Sequence, residues 1–185
     1  MKLRVFLLIS LLVLLGTIQT ANATAIWAGN GHVYEVVDWS GLMWNEANDL
    51  LQGGPWYLAT IRSPEEQNFI SSLLPQSQMA GQYWLGGYQV PPNELNPNKG
   101  WEWVTGEEWA YTNWGQGQPD DWGGGQYFLA LDNSTGTWAW DDSLGGSGIT
   151  KGYVMEADSV PEPATMLLLG SGLIGLAGLR RRFRK

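Results

Sequence analysis

The sequence contains no cysteine, so neither a disulfide nor a thiolate ligand or nucleophile can be built from it. Its one histidine, His32, excludes a multi-histidine zinc site and leaves a Ser-His-Asp triad little room. Basic residues are scarce away from the ends. Between residues 26 and 160 only Arg62, Lys99 and Lys151 are basic, against 17 aspartates and glutamates, a net charge of −14. Such a region has no clustered lysine or arginine to contact phosphates, which excludes nucleic acid as a partner. The same charge favours divalent cations wherever carboxylates converge.

Both ends read as processing segments. Lys2 and Arg4 precede the aliphatic run Val5 to Ile18. That run falls short of the ~20 residues a spanning helix needs. Small residues at Ala21-Asn22-Ala23 and Ala23-Thr24-Ala25 mark two possible cleavage points. We read residues 1–25 as a signal peptide, with a cut after Ala23 equally allowed. At the other end Pro161-Glu162-Pro163 precedes the apolar stretch Ala164 to Leu179 and the basic cluster Arg180 to Lys185. Positive residues after an apolar run hold that end on the cytoplasmic side of a membrane. The three features in this order resemble the PEP-CTERM sorting signal of Gram-negative bacteria, here over residues 160–185. The resemblance implies recognition by an exosortase-type processing enzyme and transient membrane anchoring. It also implies a destination at the cell surface or in an exopolysaccharide matrix. A plain C-terminal membrane anchor is the alternative, and either places residues 26–158 outside the cytoplasm.

What the middle has in abundance is tryptophan: all 12 lie between the two end segments. They imply either a small core filled with large rings or a surface that stacks on ligands. His32 to Val37 reads as a first strand, and Ser40 to Gln52 as a helix with Trp44, Ala47, Leu50 and Leu51 on one face, ended by Gly53-Gly54. Tyr57 to Ile61 is a short strand. A second helix opens with Ser63 as N-cap, Pro64 at the first helical position and Glu66 closing a capping box. Its apolar face is Phe69, Ile70, Leu73 and Leu74, and Pro75 stops it. Further strands are expected at 83–88, 101–104, 127–131, 138–141 and 152–156. Between Ala110 and Gln126 runs a Gly- and Trp-dense stretch of the length that is usually functional.

This order of elements resembles the C-type lectin domain. Trp44-Asn45-Glu46-Ala47 resembles that family's first helix, and Gly53-Gly54 through Leu58-Ala59-Thr60-Ile61 the segment after it. Ser63 with Glu66-Gln67 resembles the start of its second helix, Trp84-Leu85-Gly86 its core strand, and Trp140-Asp141-Asp142 its Trp-Asn-Asp motif. The resemblance implies an α+β fold with two helices, mixed and antiparallel sheets and a long ligand loop. Disulfides common in animal members are missing, so tryptophan packing has to carry more of the stability.

Gln118-Pro119-Asp120 resembles the family's galactose-type motif rather than its mannose-type Glu-Pro-Asn. By motif position the resemblance implies calcium ligands at Gln118, Asp120, Gln126, Asp141 and Asp142, with Asp121 as an auxiliary ligand. It implies sugar contacts from Gln118, Asp120, Trp122 and Asp141, with Trp122 stacked on the ring, and a cis peptide before Pro119. Calcium takes 6–8 oxygen ligands, and amide and carboxylate oxygens are what these side chains offer. Gln126 stands where most calcium-binding members have glutamate, one negative charge fewer. Trp84, Trp101, Trp103 and Trp140 are expected in the core and Trp114 and Trp122 at the surface, while His32 is read as structural.

The expected function is therefore calcium-dependent binding of a galactose-type carbohydrate or exopolysaccharide. A calcium-independent module for protein contacts or matrix structure is the alternative. An enzyme is not expected. A glycosidase needs two carboxyls facing one bond, about 5–9.5 Å apart. Neighbours such as Glu107 and Glu108, or Asp141 and Asp142, point to opposite faces of a strand.

Overall fold

A computed structural model describes residues 24–77, 81–90, 96–146 and 148–158. Most of the signal segment and the Pro161-Glu162-Pro163 tail lie outside the described residues. Among the described residues no helix is long and apolar enough to cross a membrane.

The elements run β1 (Ala25–Ile26), β2 (Val33–Asp38), α1 (Trp44–Leu51), β3 (Tyr57–Leu58), α2 (Pro64–Leu73), β4 (Gln82–Gln89), β5 (Trp101–Trp103), β6 (Phe128–Asp132), β7 (Ala139–Ser143) and β8 (Thr150–Ala157). The strands form one mixed sheet in the order β1-β2-β8-β4-β6-β7. In addition β3 pairs with β8 and β5 with β4. The β4–β8 pair is parallel and the others are antiparallel. Ala25 of β1 pairs with Tyr34, so a cut after Ala25 would remove half of that strand and a cut after Ala23 none of it.

Helix α1 begins later than Ser40 because the chain is extended at Met43, whose N–H donates to Glu46 at 2.9 Å. After Leu51 the chain passes to Gly53 at φ 78°, a left-handed conformation glycine adopts without strain. Leu50, expected on the buried face, is 55% exposed, while Trp44 and Ala47 are buried. Ser63 caps α2 by accepting from Glu66 N at 3.1 Å. The return bond of the expected capping box is displaced by one residue: Glu66 accepts from Arg62 N at 2.7 Å. The Glu66 carboxylate is drawn inward, because the Tyr34 hydroxyl, which donates to it, lies between it and the equally buried Glu156, 2.9 Å from an oxygen of the latter. Glu156 further accepts from Thr60 N, and its oxygen lies 2.6 Å from His32 Nδ1, which gives that histidine its structural place.

Both faces of the sheet are covered. Tyr83, Leu85, Leu129, Leu131, Trp140 and Val154 pack with Ile70 and Leu74 on one side. The alternating residues Trp84, Ala130 and Tyr153 pack with Leu42, Trp44 and Ala47 of the α1 region on the other. This two-sided burial is why the strand segments read as apolar runs instead of alternating. Gly86 is required where β4 passes β3: a Cβ there would lie 2.4 Å from the Leu58 carbonyl oxygen.

Candidate functional site

The stretch from Ala110 to Gln126 is anchored by rings instead of cross-links. Trp109 packs 4.4 Å from Trp103 and 5.3 Å from Trp140, centroid to centroid. Trp114 meets Trp101 at 5.0 Å and stands edge-on to Trp140 at 5.6 Å. Trp114, expected at the surface, is thus half-buried against the core; its glycine-rich neighbours disguised a tertiary contact. Beside it Trp140 N donates to Asn113 O and Gly115 N to Trp140 O, each at 2.8 Å. These bonds lay the loop along β7, next to Asp141 and Asp142.

The loop then turns back on itself. The Gln118–Pro119 peptide is cis, as the resemblance implied, and Pro119 is buried. Asp142, 1% exposed, takes both following amides: Asp120 N donates to its Oδ1 at 3.0 Å and Asp121 N to its Oδ2 at 2.8 Å. Asp120 in turn accepts from Trp122 N at 3.0 Å. Asp121, at φ 47°, gathers Gly125 N at 2.6 Å and Gln126 N at 2.9 Å on one oxygen. Its visible role is to close the glycine turn. Trp122 crowns that turn and is 75% exposed.

Asp141 faces the other side of β7 from Asp142. It accepts from Gln82 Nε2 and shares a sheet face with Asp132. It borders a small cleft of about 70 Å³ lined also by Gln116, Gln118, Asp132, Ser134 and Thr135. Gln82 and Asp132 had no signal in the sequence, since only strand register brings them beside Asp141. Burial pushes the Asp141 carboxyl up to about 7, helped by the charges of Asp132, Asp142 and Asp120 and opposed by the Gln82 amide. Burial also raises Asp142, and the two loop amides partly offset this.

The donor set fits a hard cation on two observations. Buried side-chain polar atoms without a partner are few in a folded protein. Among the described residues there are four, and two of them are the carbonyl oxygens of Gln118 and Gln126. The Asp141 carboxyl also meets several like charges with no basic group among the causes of its shift. Among the described residues no three carboxylates or histidines gather as a metal site by themselves. A cation held here would be shared between carboxylates and amide carbonyls. Glu107, weighed above as a glycosidase carboxylate, is instead paired with Arg62 at 2.9 Å and accepts from Thr60.

Comparison with known proteins agrees with this architecture. Perlucin of Haliotis laevigata is 35% identical over 86 residues, 46% of this chain and 52% of that protein. Human C-type lectin domain family 10 member A is 37% identical over 87 residues, 46% of this chain but 24% of its own length. The chain therefore spans about half or less of these relatives. Among solved structures, the C-type lectin domain of murine dendritic cell inhibitory receptor 2, in complex with N-glycan, superposes with a TM-score of 0.55 at 23% identity. The match covers 68% of this chain and 90% of that one. A calcium-independent type II antifreeze protein gives 0.57 at 19% identity, over 76% and 99%. At such identities these likenesses establish the fold. Residues 159–182 match the PEP-CTERM protein-sorting motif, which points to export and sorting to the cell surface. With residues 40–143 matching the C-type lectin domain profile, the chain belongs to the C-type lectin domain family.

Proposed function

We propose that the domain is a calcium-dependent carbohydrate-binding module displayed at the surface or in the exopolysaccharide matrix of a Gram-negative bacterium. The observation that carries this is the pair of buried, unpartnered carbonyl oxygens on Gln118, which lines the cleft with Asp141, and on Gln126, whose N–H is held by Asp121. Calcium, when bound, supplies charge compensation and coordination positions for two neighbouring sugar hydroxyls. Gln118, Asp120, Gln126, Asp141 and Asp142 would hold it, and Asp121 keeps the turn closed. Gln118, Asp120 and Asp141 would hydrogen-bond the hydroxyls they flank, and the exposed Trp122 ring offers its face to the apolar side of the sugar. The order amide, then acid, at Gln118 and Asp120 supports a galactose-type preference, because unmatched buried polar groups reject the other hydroxyl geometry. Exosortase-type processing would act on the C-terminal motif, and the intact β1 supports signal cleavage after Ala23.

The test is retention on immobilised galactose with calcium, followed by chelator. Retention abolished by chelator and by Asp120→Ala is the expected result. Retention on mannose instead of galactose would sink the sugar preference alone. A second reading, a calcium-independent module, is favoured by one observation: Asp142 already holds the loop through Asp120 N and Asp121 N without a cation. Absence of galactose retention with or without calcium, together with no calcium-induced rise in melting temperature, would select it.

A further inference from the structure

We propose that the cleft at the C-terminal end of α1 is a second, metal-independent site for one unit of a neutral polysaccharide. It measures about 240 Å³ and is lined by Trp56, Tyr57, Asn48, Gln52, Val104 and Thr105, with Gly53 and Gly54 at its rim. Of the 12 tryptophans, nine lie in or against the two cores; Trp39, Trp56 and Trp122 do not. Trp56 therefore does no core packing, yet forms a wall of this cleft. The rim stays open because glycine leaves it open: a Cβ at Gly53 would meet nothing within 4 Å, and one at Gly54 comes no nearer than 3.7 Å to the Leu51 carbonyl.

The lining selects the ligand. No charged side chain belongs to it, so an anion or cation finds no counter-charge. Asn48 and Gln52 stand four residues apart in and just after α1 and so share a face. Each carboxamide offers two N–H donors and a carbonyl acceptor. The Thr105 hydroxyl donates to Glu107 Oε2 and accepts from Glu107 N at 3.5 Å, which leaves one lone pair to accept from a ligand. The Tyr57 hydroxyl donates to Asp158 at 2.7 Å, which fixes its ring as part of the wall. Sugar hydroxyls both donate and accept, and the C–H face of the ring is apolar, which matches paired amides beside aromatic rings. A wholly apolar ligand would strand the amides. The volume lies just under the range of about 300–1,000 Å³ usual for small-ligand sites, which suits one ring rather than an oligosaccharide.

Position gives the site a use. Met43, just before α1, packs against Gly146, whose Cβ position lies 3.4 Å from the methionine Cγ. Nearby Leu144 reaches to 3.7 Å from that of Gly125 in the calcium loop. The eight-residue helix rises roughly 12 Å from there to the cleft. Loop and cleft thus sit at opposite ends of α1, so one molecule can hold two stretches of polymer and gain avidity from two weak contacts.

The experiment is affinity electrophoresis of the full chain through a gel containing neutral galactomannan, with chelator present throughout. The unmutated chain is expected to be retarded relative to a polymer-free gel. Trp56→Ala should weaken the apparent affinity roughly tenfold through the lost ring face. Gln52→Ala, an exposed position, should weaken it roughly threefold through the lost amide. Should Trp56→Ala lower the melting temperature, Gln52→Ala decides. No retardation in chelator, or retardation that both substitutions leave unchanged, overturns the proposal. Because calcium is absent, either outcome is independent of the loop reading, which the galactose experiment tests.

Discussion

Asp141 shows how a residue's environment becomes a measurable property. Its ordinary value is near 3.9, and burial among carboxylates pushes it up to about 7. Between about pH 4 and pH 7 the unfolded chain has therefore lost this proton while the folded, metal-free chain still holds it. More protons bound in the folded state means stability falls as pH rises through that window. Glu156, also raised by burial, acts in the same direction. In chelator, the melting temperature is expected to drop from pH 4 to pH 7, and Asp141→Asn, which keeps an oxygen donor, to flatten part of that slope. A slope the substitution does not change would remove Asp141 as its source. The added stability from calcium should grow as pH rises through 7, since the cation prefers the ionised carboxyl. Asp121 carries a different lesson: its carboxylate is a backbone clamp, so a motif position read as a ligand can serve first as a structural tie.

At the scale of elements, α1 and β4 are joined by two tryptophans that bond reciprocally. Trp44 Nε1 donates to Leu85 O at 2.7 Å, and Trp84 Nε1 donates to Leu42 O at 2.8 Å. Both rings are buried, so each bond is made where a lost partner is not replaced by water. Trp84→Phe strands the Leu42 carbonyl and shrinks the core. It should cost about 2–4 kcal/mol, read as a lower urea midpoint at unchanged slope. Trp39→Phe, at a half-exposed ring, should stay within about 0.5 kcal/mol. Equal losses for the two would refute the role given to the α1–β4 tie. The helices were legible because their signals are local: Ser63, Pro64 and Gly53 act within a few residues of themselves. Leu50 misled because periodicity assigns a face without saying how wide the covered stripe is.

For the whole molecule, calcium binding should appear as stability. A weak extracellular site of roughly 10⁻⁴–10⁻³ M, exposed to 10 mM calcium, would add roughly 1.4–2.7 kcal/mol. For a domain of this size that is a rise of about 4–10 °C in melting temperature, reversed by chelator. No rise would exclude calcium and leave the metal-free module standing. Surface charge works the same way: with three basic residues against 17 acidic ones between residues 26 and 160, a divalent cation relieves repulsion that the basic residues offset only in small part.

The residues alone determined the order of the elements after β1, the Ser63 cap of α2, the lack of cross-links, the C-terminal sorting motif and the Gln118-Pro119-Asp120 motif, because each depends on neighbours a few positions away. The family resemblance gathered Gln126, Asp141 and Asp142 around that motif. Tertiary structure decided what those groups meet. Asp142 reaches the amides of Asp120 and Asp121 from 22 and 21 positions away, and Gln82 reaches Asp141 across 59. It also turned Trp114 inward and left Trp56 beside an open cleft. Such pairings follow from strand register and from which rings fill the core, and both are set only when the whole sheet is buried together.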